Sequence, residues 1–177
     1  MDDRPTEREA TVDLNRLALT SGEARRLDLR VALAPIELGG QSYRPEGDGV
    51  DAVLDVNGTT TGYALRLRFE AVLDGPCVRC LTASRHEIAI DAREVDQAGA
   101  RDEELRSPYV SEGELAAARW AMDAVVLELP AQPLCREDCK GLCPECGESL
   151  NDAPEGSHDH PRAGDPRMAK LKDLKLD

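Results

Sequence analysis

Apolar and polar residues alternate through several stretches of the first hundred positions, with the two-residue period that turns one face of a strand toward a core. In 25–33, Leu27, Leu29, Val31 and Leu33 fall on one side, and Arg26, Asp28 and Arg30 on the other. In 50–56, Val50, Ala52, Leu54 and Val56 stand against Asp51 and Asp55. The pattern returns in 61–73, where Tyr63, Leu65, Leu67, Phe69, Ala71 and Leu73 oppose Arg66, Arg68 and Glu70. It resumes in 85–95 through Ile88, Ile90 and Ala92. Asn57-Gly58 predicts a hairpin turn, because the tight two-residue turn needs positive φ. Gly39-Gly40 and 45–49 read as turns, Asp74-Gly75-Pro76 ends a strand, and 12–19 predicts only a short element. Antiparallel strands sharing one apolar face need a cover.

A helical period supplies that cover. Ser111-Glu-Gly-Glu114 has capping-box spacing and predicts a helix from Glu112 to about Glu128, ending before Pro130 and Pro133. Leu115, Ala118, Met122, Val125, Val126 and Leu129 form the stripe expected on the sheet. Trp120, Ala124 and Leu127 fall opposite, either packed on another segment of the chain or exposed as a partner-binding patch anchored by Trp120 and Leu127. The acidic, irregular 91–106 reads as an exposed loop.

Cysteine spacing changes the picture beyond Pro133. Cys135, Cys139, Cys143 and Cys146 form C-x3-C-x3-C-x2-C, the last pair sitting in Leu-Cys-Pro-Glu-Cys-Gly. A two-residue spacer lets both sulfurs of one turn reach the same ion, and zinc takes four such ligands at about 2.3 Å each. Gly147 lets the chain fold back behind the second thiolate. Asp2, Asp3, Glu7 and Glu9 fall where a secretory signal would need basic and apolar regions, so the expectation is reduced, metal-binding cysteines in a cytoplasmic chain.

A second pair, Cys77-x2-Cys80, lies at a strand turn. Two arrangements follow: a self-sufficient quartet with this pair standing apart, or this pair completing a site with two of the quartet. The first is preferred because twelve residues suffice to wrap one ion. A second ion could draw on Cys77, Cys80 and a histidine from His86, His158 or His160, although each histidine sits in a polar segment typical of surface residues. A redox Cys-x2-Cys usually opens a helix, and this pair joins strands.

The expected fold class is therefore α+β: an antiparallel β-sheet, partly closed or barrel-like, covered by a helix, with a small C-terminal zinc-knuckle module. The expected organisation is a flexible N-terminus over 1–11, an α+β body over 12–130, a zinc-binding segment over 131–151, and a linker with a short basic helix over 152–177. That helix would start at Asp165-Pro166 and carry Arg167, Lys170, Lys172 and Lys175; Arg167 and Lys170 are candidate partner contacts.

Charge limits the partners. The 177 residues carry a net charge of −13, with 15 basic and 25 acidic side chains in 1–130 and 7 and 10 in 131–177. Such a field repels nucleic acid, and five aromatic residues are too few for a base-stacking platform. No run of 18 apolar residues exists, so no membrane span is expected. No nucleophile pairing, phosphate-binding glycine loop or open metal site stands out, so neither an enzyme nor a small-molecule substrate is expected.

Cys77-Val-Arg-Cys80-Leu81 after an alternating strand resembles the YceD family, the large ribosomal RNA subunit accumulation proteins. So do Leu127-Glu-Leu-Pro130, the block from Cys135 through Asp138-Cys139-Lys-Gly-Leu-Cys143 and Cys146-Gly to Leu150-Asn151, and Asp165-Pro-Arg167 with Leu171. The resemblance covers most of 12–175. It implies a bacterial, cytoplasmic, non-enzymatic ribosome-assembly factor supporting accumulation of 23S rRNA. Its partners would be the large-subunit rRNA precursor, ribosomal proteins or assembly factors. Members of the family carry further cysteines after Leu-Asn, where this chain has His158 and His160. Other classes are a zinc-thiol redox switch, a regulatory protein-interaction module and a metal-dependent hydrolase.

Overall fold

A computed structural model describes residues 10–97, 99–100, 102–154 and 156–160. The elements in chain order are β1 (Thr11–Asp13), a 3-10 turn at Asn15–Leu17, β2 (Ala24–Val31), β3 (Ile36–Leu38), β4 (Gln41–Pro45), β5 (Val50–Gly58), β6 (Gly62–Pro76) and β7 (Ala83–Gln97). A 3-10 turn at Glu103–Leu105, β8 (Val110–Ser111), β9 (Glu114–Ala116) and α1 (Ala117–Glu128) follow.

The alternating stretches become the large antiparallel sheet, with the faces the pattern predicts. The β6–β7 hairpin pairs from Gly62↔Gln97 to Pro76↔Ala83, so β7 occupies one edge of β6 along its whole length. The other edge is shared: β5 takes Tyr63–Arg68, and β4 takes Leu73 and Asp74. β2 pairs β5 and β3 pairs β4, both antiparallel. β2 and β7 do not pair among the described residues, so the sheet is open and the expected barrel-like closure is not formed.

Val31, Leu54, Val56, Leu65, Leu67 and Leu73 point inward and are at most 2% exposed. Their opposite face carries cross-strand ion pairs. Arg26 and Arg68 share Asp55 at 2.7 and 2.6 Å, and Arg66 grips both oxygens of Asp91.

Three local readings change. Ser111–Glu114 is not a helix cap: Glu112 (φ 53°) and Gly113 (φ 83°) form the positive-φ turn between β8 and β9. The helix therefore starts five residues later, at Ala117, and its buried stripe becomes Ala117, Trp120, Ala121 and Val125. Trp120, read as either packed on another segment or exposed as a partner anchor, is packed: it is 2% exposed and stacks on Tyr109 with ring centroids 6.0 Å apart, whereas Leu127 is 85% exposed. The β5–β6 turn lies at 59–61 rather than Asn57-Gly58, because both residues continue the ladder against Ala64 and Tyr63. The expected loop at 91–106 begins only after Gln97. A further small sheet, β1-β9-β8, closes one end of the core.

No helix among the described residues is long and apolar enough to cross a membrane. The expected basic helix with Arg167 and Lys170, and most of the N-terminal segment, lie outside the described residues.

Candidate metal centre

The cysteine quartet is divided between two clusters. Cys77, Cys80, Cys135 and Cys139 bring four sulfurs within 4.8 Å of one another, and Cys143, Cys146, His158 and His160 do the same with two sulfurs and two ring nitrogens. The preferred self-sufficient quartet is thus replaced by the arrangement in which Cys77 and Cys80 join two of its members. His158 and His160, read as surface residues, line up with the other two. His86 belongs to neither cluster: its Nε2 lies 3.0 Å from Ser84 Oγ on β7, and burial lowers its pKa.

Both Cys-x2-Cys turns have the same backbone. In the first, Cys77 N–H donates to Thr82 O at 2.8 Å and Leu81 N–H to Cys77 O at 2.9 Å. In the second, Cys143 N–H donates to Glu148 O at 2.8 Å and Gly147 N–H to Cys143 O at 2.9 Å. Leu81 (φ 60°) and Gly147 (φ 75°) take the left-handed conformation at matching positions. Glycine adopts it freely and leucine does so at a cost, so Leu81 hides from sequence a turn that Gly147 advertises.

The first turn caps the long β6–β7 hairpin, and the segment after α1 docks on it. Val78 N–H donates to Pro133 O at 3.0 Å and Arg79 Nη1 to Cys139 O at 3.1 Å. Gly141, at φ 79°, passes so close that a Cβ would stand 3.3 Å from Arg79 O. Within this cluster, sulfurs of the hairpin turn and of the docked segment lie 3.7 Å (Cys77–Cys139) and 3.5 Å (Cys80–Cys135) apart. A disulfide needs about 2.0 Å. Four thiolates about 2.3 Å from one tetrahedral ion stand about 3.8 Å apart, so the observed spacing fits a shared metal. Cys77, Cys80 and Cys139 are at most 4% exposed and Cys135 is half-buried, so three of the four sulfurs are shielded from solvent.

Thiol proton affinities diverge within the cluster. The Thr82 hydroxyl lowers Cys80 to about 6, while Cys80 holds the Cys135 proton and raises it to about 11. Burial works to raise Cys77, but backbone N–H groups of Cys80, Cys135 and Arg79 outweigh it and lower it. Such donors aimed at sulfur are the surroundings a metal-bound thiolate needs.

In the second cluster, Cys146 Sγ lies 3.3 Å from His158 Nδ1, whose Nε2 faces Glu148 Oε2 at 3.9 Å. A carboxylate behind a ligating imidazole orients it toward the metal. Among the described residues His160 Nε2 is buried without a hydrogen-bond partner, an unsatisfied site that a metal would fill. Backbone N–H groups of Cys146 and Glu145 lower Cys143 to about 6. Two soft sulfurs and two imidazoles are a donor set suited to zinc. Each cluster could hold a metal ion. The signal available beforehand was a count: six cysteines with His158 and His160 make eight donors, enough for two four-ligand sites.

A family model described as Large ribosomal RNA subunit accumulation protein YceD matches residues 65–175, a span that includes all eight of these side chains. An uncharacterized protein of Mycobacterium leprae is 39% identical over 103 residues, an alignment covering 55% of this chain and 46% of that protein. Uncharacterized proteins of Mycobacterium tuberculosis and Mycobacterium bovis are each 33% identical over 173 residues, covering 93% of this chain and 80% of theirs. No solved structure matches.

Proposed function

The chain belongs to the YceD family, and from that membership we propose that it is a non-enzymatic ribosome-assembly factor supporting accumulation of large-subunit 23S rRNA, with zinc in both clusters. The family match carries this reading. Zinc fits the soft donor sets, and with four protein ligands around each ion no position is left for a reacting water, so the metal serves structure. Its work is to hold the segment after α1 on the tip of the β6–β7 hairpin. The site of action would be the cytoplasm, where ribosomes assemble.

Charge shapes the partner side of the proposal. With a net charge of −13, the protein gains little from neutralising rRNA phosphates. Contact through basic ribosomal proteins or an assembly factor uses the acidic body as the complementary surface. Crosslinking the tagged chain in cells and identifying both RNA and protein tests this. Recovery of large-subunit ribosomal proteins, together with a fall in 23S relative to 16S rRNA on depletion, is the expected outcome. An unchanged rRNA ratio overturns the assembly role, and tight, salt-sensitive binding of the purified chain to naked rRNA overturns the protein-mediated contact.

A further inference from the structure

The two clusters share a turn geometry but differ in their access to solvent. The first is largely shielded: Cys77 is 0% exposed, Cys139 2% and Cys80 4%, and Cys135 is half-buried. The second has its turn sulfur Cys146 exposed, and Cys143, Pro144, Leu150, His158 and His160 line an open cavity of about 530 Å³. Cys143 and Cys146 are close enough to reach each other, and the remaining donors are two imidazoles. Reactivity of a thiolate toward oxidants follows its accessibility, and a buried one is shielded.

We propose that the second cluster holds a zinc ion that a peroxide-class oxidant releases, while the ion in the first cluster stays. This rests on the zinc reading above. The exposed Cys146 thiolate attacks one oxygen of hydrogen peroxide, breaks the O–O bond and becomes a sulfenic acid, with hydroxide leaving. The Cys143 thiolate then displaces a second hydroxide from that sulfur and closes the disulfide. Two thiolates are oxidised by two electrons in total, peroxide is reduced, and two protons from solvent convert the two hydroxides to water. The ion, left with two imidazoles, dissociates. A thiol reductant returns the disulfide to thiolates and restores the site.

The segment around the first cluster keeps its anchor throughout. Oxidation thus removes the ion that closes 143–160, leaving that stretch held through Leu150 and Asn151, while 133–139 stays clasped to the hairpin tip. The outer ion is an oxidant-sensitive element in a body held by the inner one.

The test uses the purified full chain loaded with zinc. Metal content measured before oxidant should be two ions per chain. Hydrogen peroxide, followed with a zinc-binding chromophore, should release one ion at least about tenfold faster than the other, as expected when one thiolate is accessible and the other set is shielded. Peptide mapping after alkylation should find a Cys143–Cys146 disulfide, reversed by reductant. Cys146→Ser should remove the fast phase, and His160→Cys, which keeps a donor, should retain two ions. Release of both ions at one rate, release of neither, or a disulfide at Cys77 or Cys80 overturns the inference. A starting content below two ions overturns it at the zinc premise, while the rRNA ratio tests the assembly role separately.

Discussion

Replacing Cys139 with serine should detach the segment after α1 without unfolding the body. Cys139 is 2% exposed, and its sulfur lies 3.7 Å from that of Cys77. The small core around it contains Cys77, Cys80 and Cys139, with only Leu134, Cys135 and Leu142 packed at its edge. Fixing the nine residues of Leu134–Leu142 costs about 9–18 kcal/mol of backbone entropy. Two half-buried leucines return about 3 kcal/mol. A structural zinc contributes about 10–16 kcal/mol in finger-like peptides, which brings the balance to near zero or a few kcal/mol favourable. Without the fourth thiolate the remaining hydrogen bonds and leucine contacts do not offset that entropy. Among the described residues the body's core cluster contains none beyond Leu129, so its cooperative unfolding should persist. Metal analysis should show one ion in place of two, and limited proteolysis should cut within 131–142 while the body survives. Wild-type protease resistance in Cys139→Ser, or two ions retained, would refute the reasoning, and so would loss of the body's own transition.

Other outcomes follow from the body. Leu67→Ala removes a fully buried side chain at the centre of β6 and should cost about 2–5 kcal/mol in denaturant unfolding, whereas Leu127→Ala, at an 85% exposed position, should stay within about 0.5 kcal/mol. Gly75 lies against the buried Tyr43 ring, and a Cβ there would overlap it. Gly75→Ala should therefore cost about 1–3 kcal/mol unless the ring shifts, measurable as a lower midpoint. Hydrogen bonding by Arg26, joined by Arg68, lowers the Asp55 pKa below its ordinary 3.8. A carboxylate lowered in the folded state adds stability above the unfolded value, and that stability is lost as pH falls through the folded one. Asp55→Asn should thus be less stable than wild type at pH 7, with the difference shrinking as pH drops below 3.8; a pH-independent difference would contradict the ion-pair account.

Much of the large sheet was legible because its strands are long and half-buried, so the period of two repeats enough times to be read. β6, with Leu65, Leu67, Phe69, Ala71 and Leu73 inward, is the clearest instance. The short strands were not legible: Ile36–Leu38 offers three residues, and only the Gly39-Gly40 turn marks the hairpin. At Ser111–Glu114 two local grammars compete, a cap and a two-residue turn, and the pairing of Leu115 with Val12 and Val110 decides between them. Trp120 shares its buried face with Ala117, Ala121 and Val125, and small alanines beside one large ring carry a weak apolar signal.

The metal centre shows a different limit. A knuckle is a local object, and its backbone hydrogen bonds bind only two sulfurs, so spacing identified Cys143 and Cys146 as a unit but could not name their partners. The four donor pairs occur in the order Cys77/Cys80, Cys135/Cys139, Cys143/Cys146 and His158/His160, and they combine first with second and third with fourth. An interleaved combination would have locked both ions into one object, each ion's loss opening the other's site. Sequential pairing makes two rings joined in the chain by the connection from Cys139 to Cys143, with Arg136 donating to Asn151 O at 2.9 Å and Lys140 N–H to Asn151 Oδ1 at 2.8 Å between them. One ring reaches back across the body to a strand turn, and the other closes within eighteen residues of itself. The inner site therefore draws two of its ligands from the sheet's hairpin, and the outer site draws all four from one loop. That asymmetry follows from where the pairs stand in the chain, before any difference in exposure is added.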